Sequence, residues 1–178
     1  LDDDHDIFID LAQALDYAHS QGIVHRDVKP DNVMLRHRLQ NGRPMNRYHA
    51  TLMDFGIAKI VSSNNHLTAG DLLGTVNYVA PEQIQEATAV DHRADIYSFG
   101  LMAYQMLTGT HPFASDSVGT VIKNHLVGQA PDPRTYAPYL TDQQVSALQI
   151  ALAKDPADRY TTATDFVRAL LAGTSVSI

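Results

Sequence analysis

The sequence of 178 residues contains no cysteine. Disulfide bonds, thiolate metal sites and cysteine nucleophiles are therefore excluded, and the composition is compatible with the reducing cytoplasm, where we expect the protein to act. Basic residues are also few, since 13 Lys and Arg stand against 20 Asp and Glu, which gives a formal net charge of −7. This balance argues against nucleic acids and anionic membranes as partners, because both are bound through clustered Lys and Arg.

Long apolar segments are missing as well. The densest one, residues 99–107, is far too short to span a bilayer. The acidic start, LDDDHD, lacks the basic and then apolar character of a secretory signal. We therefore expect no membrane segment within these residues, while an anchor or sensor domain attached outside them stays open. With 44% hydrophobic residues, the chain can form one domain with a sizeable core.

The apolar pattern of the chain is mainly helical. Apolar residues at helical spacing predict an amphipathic helix over residues 3–20 that ends at Gly22. Residues 93–107 are apolar nearly all the way round, which predicts a helix buried at the centre of the domain. One-sided patterns predict two more helices, over residues 141–154 and 161–171.

Two short apolar segments, "NVML" and "ATLMDF", predict two strands joined by residues 36–49. This connector contains four basic side chains: Arg36, Arg38, Arg43 and Arg47. It is either a basic docking loop or a long solvated hairpin, and the Asn-Gly pair at 41–42 favours the hairpin. The predicted layout is a single small β-hairpin set into a mainly α-helical domain.

The stretch "IVHRDVKPDN", residues 23–32, contains side chains suited to phosphoryl transfer. The carboxylate of Asp27 can take a proton from a hydroxyl, the ammonium of Lys29 can neutralise phosphate charge, and the amide oxygen of Asn32 can bind Mg²⁺. A single amide is a poor magnesium site, because Mg²⁺ prefers several hard oxygen ligands. The motif "LMDFG" supplies Asp54, which the two strands of one hairpin would bring beside Asn32.

Three motifs in this order, HRDVKPDN (25–32), DFG (54–56) and APE (80–82), resemble a eukaryotic-type protein kinase, closest to the Ser/Thr kinases of bacteria. DIYSFG (95–100) and DPADRY (155–160) stand where the family has its central helix and its late arginine. The resemblance covers nearly the whole chain. It implies the fold of the large, C-terminal kinase lobe, with a catalytic loop at 25–32 and an activation segment at 54–82.

The resemblance also implies roles for single residues. Asp27 would orient the substrate hydroxyl and accept its proton, Lys29 would contact the γ-phosphate of ATP, and Asn32 and Asp54 would hold Mg²⁺ against the phosphates. ATP and Mg²⁺ are thus the implied cofactors, and a protein with a reactive Ser or Thr is the implied substrate. Any one of these aspartates could instead be a cap or turn residue, but the combination favours catalysis.

Further positions follow from the same resemblance. Met34 would form the floor under adenine, and the backbone of Asp31 would lie near the ribose. Lys29 and Thr75 resemble the Ser/Thr branch, because tyrosine kinases carry other residues at both places.

Several residues are expected to have structural roles. His25 would pack and form hydrogen bonds in the core, and Asp95 would accept backbone N–H bonds from the catalytic loop. Glu82 and Arg159 would form a buried ion pair. The remaining histidines show no metal-ligand spacing, so we expect them at the surface or satisfied in the core.

Regulation is expected in the activation segment. Arg26 would form part of a basic pocket for a phosphate on this segment, and Ser62, Ser63 and Thr68 are the hydroxyls placed to carry one, with Thr68 as the first choice. The alternative is that Ser and Thr are simply common in loops.

A complete kinase also needs a glycine-rich lid, an upstream lysine and a helix glutamate. The residues before His25 include no lysine and only one glycine, Gly22. The sequence therefore predicts that the small N-terminal lobe is missing, and that the chain is a truncated kinase domain inactive by itself. A stand-alone, non-catalytic lobe that acts as a protein-interaction module is the alternative, although the intact Asp27 and Asp54 favour a catalytic parent.

Overall fold

A computed structural model describes residues 2–40, 42–55, 76–85 and 90–172. In chain order its helices and strands are α1 Asp2–Ser20, β1 Val33–Gln40, β2 Arg43–Leu52, α2 Pro81–Gln85, α3 Arg93–Thr108, α4 Val118–Val127, α5 Asp142–Ala151 and α6 Ala163–Leu171. Short 3₁₀ turns lie at Pro30–Asn32, Pro133–Thr135 and Pro156–Asp158. The predicted mainly helical domain with one small hairpin is confirmed.

The helices begin and end where side chains can satisfy the terminal backbone groups. Helix α5 is shorter than the predicted range 141–154, because Thr141 is its N-cap and forms a capping box with Gln144. Helix α6 likewise begins after its N-cap, Thr162. The sequence pattern missed α2, whose five residues are too few to show a helical period. It also missed α4, which buries only Val121 and His125 and so lacks a broad apolar face.

The predicted hairpin is confirmed and is longer than two short strands with a loop. Most of residues 36–49 belongs to β1 and β2, which pair antiparallel from Val33 opposite Leu52 to Gln40 opposite Arg43. Gly42 lies in the turn with a φ of +74°, a conformation that glycine adopts without strain. The register shifts between His37 and Leu39, so the outer half of the hairpin is irregular.

Helix α3 is the centre of the domain, as predicted, and 12 of its 16 residues are buried. The ring of Phe99 packs between Phe8 of α1, at 6.2 Å, and Phe166 of α6, at 5.4 Å between ring centroids. Gly100 lets α5 approach closely, because a Cβ atom at this position would lie 2.9 Å from the Cβ of Ala151. The first, third and last helices thus share one apolar core.

The predicted ion pair between Glu82 and Arg159 is present and joins α2 to the segment before α6. The Arg159 side chain is fully buried, and its guanidinium nitrogens donate to the Glu82 carboxylate at 2.6 and 2.8 Å. The same guanidinium donates to the carbonyls of Ala153, Arg93 and Lys154. Because five bonds converge on one buried cation, the relative position of these segments is fixed.

Across the described ranges, no helix combines the length and the apolar character that a bilayer crossing requires.

We predict that Gly100→Ala lowers the free energy of unfolding, although alanine favours helices. The added methyl must displace Ala151 or Leu152, and such overpacking costs about 1–3 kcal/mol. Gly119→Ala in α4 is the matched control, because its Cβ meets only the Ser117 hydroxyl at 3.9 Å. Urea denaturation should show a loss for the first variant and a small gain for the second. Equal effects would contradict close packing at Gly100.

We also predict that Glu82→Gln destabilises the protein by about 3 kcal/mol, since it leaves the charge of Arg159 buried and uncompensated. The control is Asp165→Asn, which breaks the exposed pair of Asp165 with Arg168 on α6 and should cost less than about 1 kcal/mol. Thermal unfolding of the two variants gives the comparison. Similar losses in both would show that the buried pair adds nothing beyond a surface pair.

Candidate active site

The loop between α1 and β1 contains the HRD motif and is held by one buried carboxylate. Asp95, in the first turn of α3, accepts the backbone N–H of His25 at 2.8 Å and that of Arg26 at 2.7 Å. These are the backbone bonds expected for this aspartate. The Nε2 atom of His19, at the end of α1, lies 2.8 Å from the same carboxylate. Nothing in the sequence singles out His19, because its spacing matches no ligand motif.

Backbone strain marks both ends of the site. Arg26 has a φ of +63° and Asp54 a φ of +56°, and they are the only non-glycine residues with positive φ in the described ranges. Such a conformation costs about 1–3 kcal/mol and persists only where surrounding contacts impose it. At Arg26 these contacts are the bond to Asp95 and a bond from the Gln83 side chain to the Arg26 carbonyl, at 3.1 Å.

His25 joins the two strained segments, which agrees with the packing role expected for it. Its side chain is fully buried and its ring lies 4.7 Å from the ring of Phe55. The Nδ1 atom accepts the backbone N–H of Asp27 at 3.2 Å, so in the neutral ring Nε2 has the proton and donates to the Met53 carbonyl at 2.9 Å. The catalytic loop and the end of β2 therefore lie at a fixed distance from each other.

Asp27, Lys29 and Asn32 come together, as the sequence predicts. The amide nitrogen of Asn32 donates to the backbone carbonyl of Asp27 at 2.7 Å and to its carboxylate at 3.1 Å. The Nζ atom of Lys29 lies 3.3 Å from the same carboxylate, whose side chain is 13% exposed. Both Asn32 bonds use the amide nitrogen, so the amide oxygen is not needed to hold Asp27 and can serve as a metal ligand.

Asp54 lies at the end of β2, close to Asn32 along the hairpin. The backbone N–H of Met53 donates to the Asn32 carbonyl at 2.8 Å, which continues the pairing of Val33 with Leu52 by one step. The carboxylate of Asp54 is exposed. The hairpin thus brings the two proposed metal ligands to the same end of the sheet.

The available ligands fit Mg²⁺ bound together with phosphate. Within the described ranges, no group of three His, Cys, Asp or Glu side chains could hold a metal by itself. One carboxylate from Asp54 and one amide oxygen from Asn32 leave most of an octahedral shell for phosphate oxygens and water, which is the arrangement Mg²⁺ favours at nucleotide sites.

Other predicted residues lie near this centre or outside the described ranges. Asp31 is exposed in the 3₁₀ turn before β1, and Met34 is half-buried on β1 opposite Thr51. Four predicted positions of the activation segment fall outside the described residues: Ser62, Ser63, Thr68 and Thr75.

The segment that leads into the APE motif is held by α3. The hydroxyl of Ser98 donates to the Tyr78 carbonyl at 2.6 Å, and the Tyr78 hydroxyl donates to the side chain of Gln105. Burial, with the negative charge of Asp31, raises the pKa of Tyr78 to about 12, so its hydroxyl stays a donor at neutral pH. These contacts hold the segment beside the catalytic loop and could not be read from sequence spacing.

Two histidines near this segment lie away from the surface, as the prediction of surface or core positions allows. His125 is fully buried, and its Nδ1 atom lies 3.1 Å from the Tyr97 hydroxyl. The ring of His111 lies 5.1 Å from the ring of Tyr78. Burial lowers the pKa of both histidines to about 4, so both are neutral at physiological pH.

Comparison with known proteins agrees with this geometry. The family model of the protein kinase domain matches residues 2–171. The serine/threonine-protein kinase Pkn1 of Myxococcus xanthus is 40% identical over 161 residues, which are 90% of this chain and 22% of that protein. PknF of Mycobacterium tuberculosis is 40% identical over 166 residues, which are 93% of this chain and 33% of that protein.

A solved structure shows the same fold. The crystal structure of the PknI kinase domain from Mycobacterium tuberculosis matches with a TM-score of 0.64 and 32% identity, over 93% of this chain and 52% of that one. The chain therefore spans about half of this kinase domain and a third or less of the two curated relatives. By sequence and by fold, the chain belongs to the protein kinase domain family and resembles the eukaryotic-type serine/threonine kinases of bacteria.

Proposed function

We propose that the chain is the catalytic large lobe of an ATP-dependent serine/threonine protein kinase, which transfers the γ-phosphoryl group of Mg·ATP to a protein hydroxyl. The observation that carries this proposal is the arrangement around Asp27. Its carboxylate is fixed by the amide of Asn32 and by the ammonium of Lys29, at 3.1 and 3.3 Å. A protein-interaction module has no need for this arrangement, whereas a kinase needs it to orient a hydroxyl.

Each residue has a distinct part in this proposal. Asp27 accepts the proton of the attacking hydroxyl, and Asn32 keeps its carboxylate in one orientation, so the reacting groups meet with little loss of entropy. Lys29 lies beside the same carboxylate and can turn to a phosphate oxygen as negative charge develops there. Asn32 and Asp54 would hold Mg²⁺, which when bound supplies positive charge to the phosphates.

The proposal also concerns the parts of a kinase site that these residues lack. A glycine-rich phosphate loop does not occur within its residues, and no lysine precedes His25. We propose that these parts come from a separate N-terminal lobe and that the chain alone transfers little phosphate. We further propose that phosphorylation of Thr68 orders the activation segment through Arg26, because a phosphate gains charge-assisted bonds from a guanidinium.

We predict that a chimera regains kinase activity when this chain follows the part of the PknI kinase domain that lies outside its match to this chain. Transfer of labelled γ-phosphate to a Ser/Thr peptide should require Mg·ATP. Asp27→Asn should lower the rate at least about a hundredfold, because general-base catalysis contributes that much or more. Asp116→Asn, at an exposed aspartate far along the chain, is the matched control and should leave the rate unchanged.

The PknI domain itself and this chain alone complete the set of controls. Activity of the first with background transfer by the folded chimera would contradict the kinase proposal and favour a non-catalytic lobe. Clear transfer by the chain alone would instead contradict the need for a separate lobe. An active chimera that is insensitive to Asp27→Asn would remove Asp27 from the mechanism.

A further inference from the structure

The hairpin of β1 and β2 is a basic surface on an acidic protein. Residues 33–52 include four arginines and no acidic residue, so all 20 Asp and Glu lie elsewhere in the chain. The proposed phosphoryl transfer uses only the base of this hairpin, where Asn32 and Asp54 lie. The outer part, from Leu35 to Ala50, therefore has a charge and an extent that the catalytic role does not require.

Two of the four arginines fix the hairpin to α1. Arg47 forms a bidentate salt bridge with Asp6, with both hydrogen bonds at 2.6 Å. Arg38 donates to both carboxylate oxygens of Asp10 at 3.0 Å. Asp10 also accepts the backbone N–H of Ala50 at 3.0 Å. The Arg47 guanidinium lowers the pKa of Asp6, so this carboxylate stays charged. These bonds hold the hairpin rigidly on the domain.

The other two arginines of the hairpin are not paired with α1. Arg36 and Arg43 are exposed, and neither has a carboxylate partner within the described ranges. Leu39 lies between them along β1 with 65% of its surface exposed. Arg43 pairs across the hairpin with Gln40, four residues beyond Arg36, so the backbone positions of the two arginines are about 13 Å apart along the strand at ~3.3 Å per residue. Because side chains alternate along a strand, Arg36 and Gln40 share one face of β1, and Leu39 lies on the opposite face.

We propose that this outer surface, formed by Arg36 and Arg43, binds an extended acidic segment of a partner protein. The fitting segment has two Asp or Glu side chains about four residues apart. Because the hairpin is already fixed by Asp6 and Asp10, binding orders few further groups on this protein, and the acidic remainder of the surface directs such a segment to the hairpin.

The charge distribution favours an acidic peptide over a nucleic acid. Nucleic acids are bound by rows of Lys and Arg that contact many phosphates, whereas only two unpaired arginines lie on this surface and the chain as a whole has a net charge of −7.

The test is a binding assay with the 178-residue chain, which needs no phosphoryl transfer and so is independent of the proposed function. A short fluorescein-labelled peptide carries two Glu four residues apart, and its twin carries Lys in place of Glu. Fluorescence anisotropy should show binding of the Glu peptide alone, weakened by added salt. The double variant Arg36→Glu, Arg43→Glu should bind it at least tenfold more weakly and gain affinity for the Lys peptide.

Two controls separate this surface from general charge effects. Arg168→Glu, at an exposed arginine on α6, and Leu39→Ala, on the opposite face of β1, should both leave the affinity unchanged. Circular dichroism would verify that each variant is folded. The proposal is overturned if both peptides bind alike, if the double variant binds the Glu peptide normally, or if a single-stranded oligonucleotide of similar charge binds as tightly.

Discussion

The carboxylate of Asp95 is the interaction on which the candidate site depends. It has no solvent exposure, it accepts the backbone N–H groups of His25 and Arg26, and it lies 2.8 Å from the Nε2 atom of His19. These partners precede Asp95 by 69 to 76 positions in the sequence. A buried carboxylate is stable only when such donors compensate its lost hydration. Helix α3 is packed on several sides, so the core fixes the position of Asp95. The hydrogen bonds that Asp95 accepts in turn fix the position of the catalytic loop.

The remaining parts of the site follow from that fixed point. His25 links the loop to the end of β2, because one ring nitrogen bonds to the N–H of Asp27 and the other to the carbonyl of Met53. The amide of Asn32 holds the carboxylate of Asp27 by hydrogen bonds. Left-handed backbone at Arg26 and Asp54 is retained because these hydrogen bonds outweigh its cost. Asp27, Lys29 and Asn32 are thus oriented before any substrate binds, which the proposed phosphoryl transfer would require.

Polar contacts serve two different purposes in this protein. The pair of Glu82 with Arg159 is buried and connects segments of the core, so its energy is strongly coupled to folding. The pairs of Asp6 and Asp10 with the hairpin arginines lie nearer the surface and mainly fix the orientation of an exposed element. The first kind maintains the lobe, and the second kind holds a surface that is available for recognition.

The sequence by itself determined the family and the central helix, because motif order and apolar periodicity are local properties. It also indicated the hairpin through one Asn-Gly turn and predicted roles for Asp27, Lys29, Asn32 and Asp54. It did not reveal the contact of His19 with Asp95, or which arginines pair with α1, since these depend on residues tens of positions apart. Tertiary structure alone decided them, because burial and charge pairing act between residues that only the folded chain brings together.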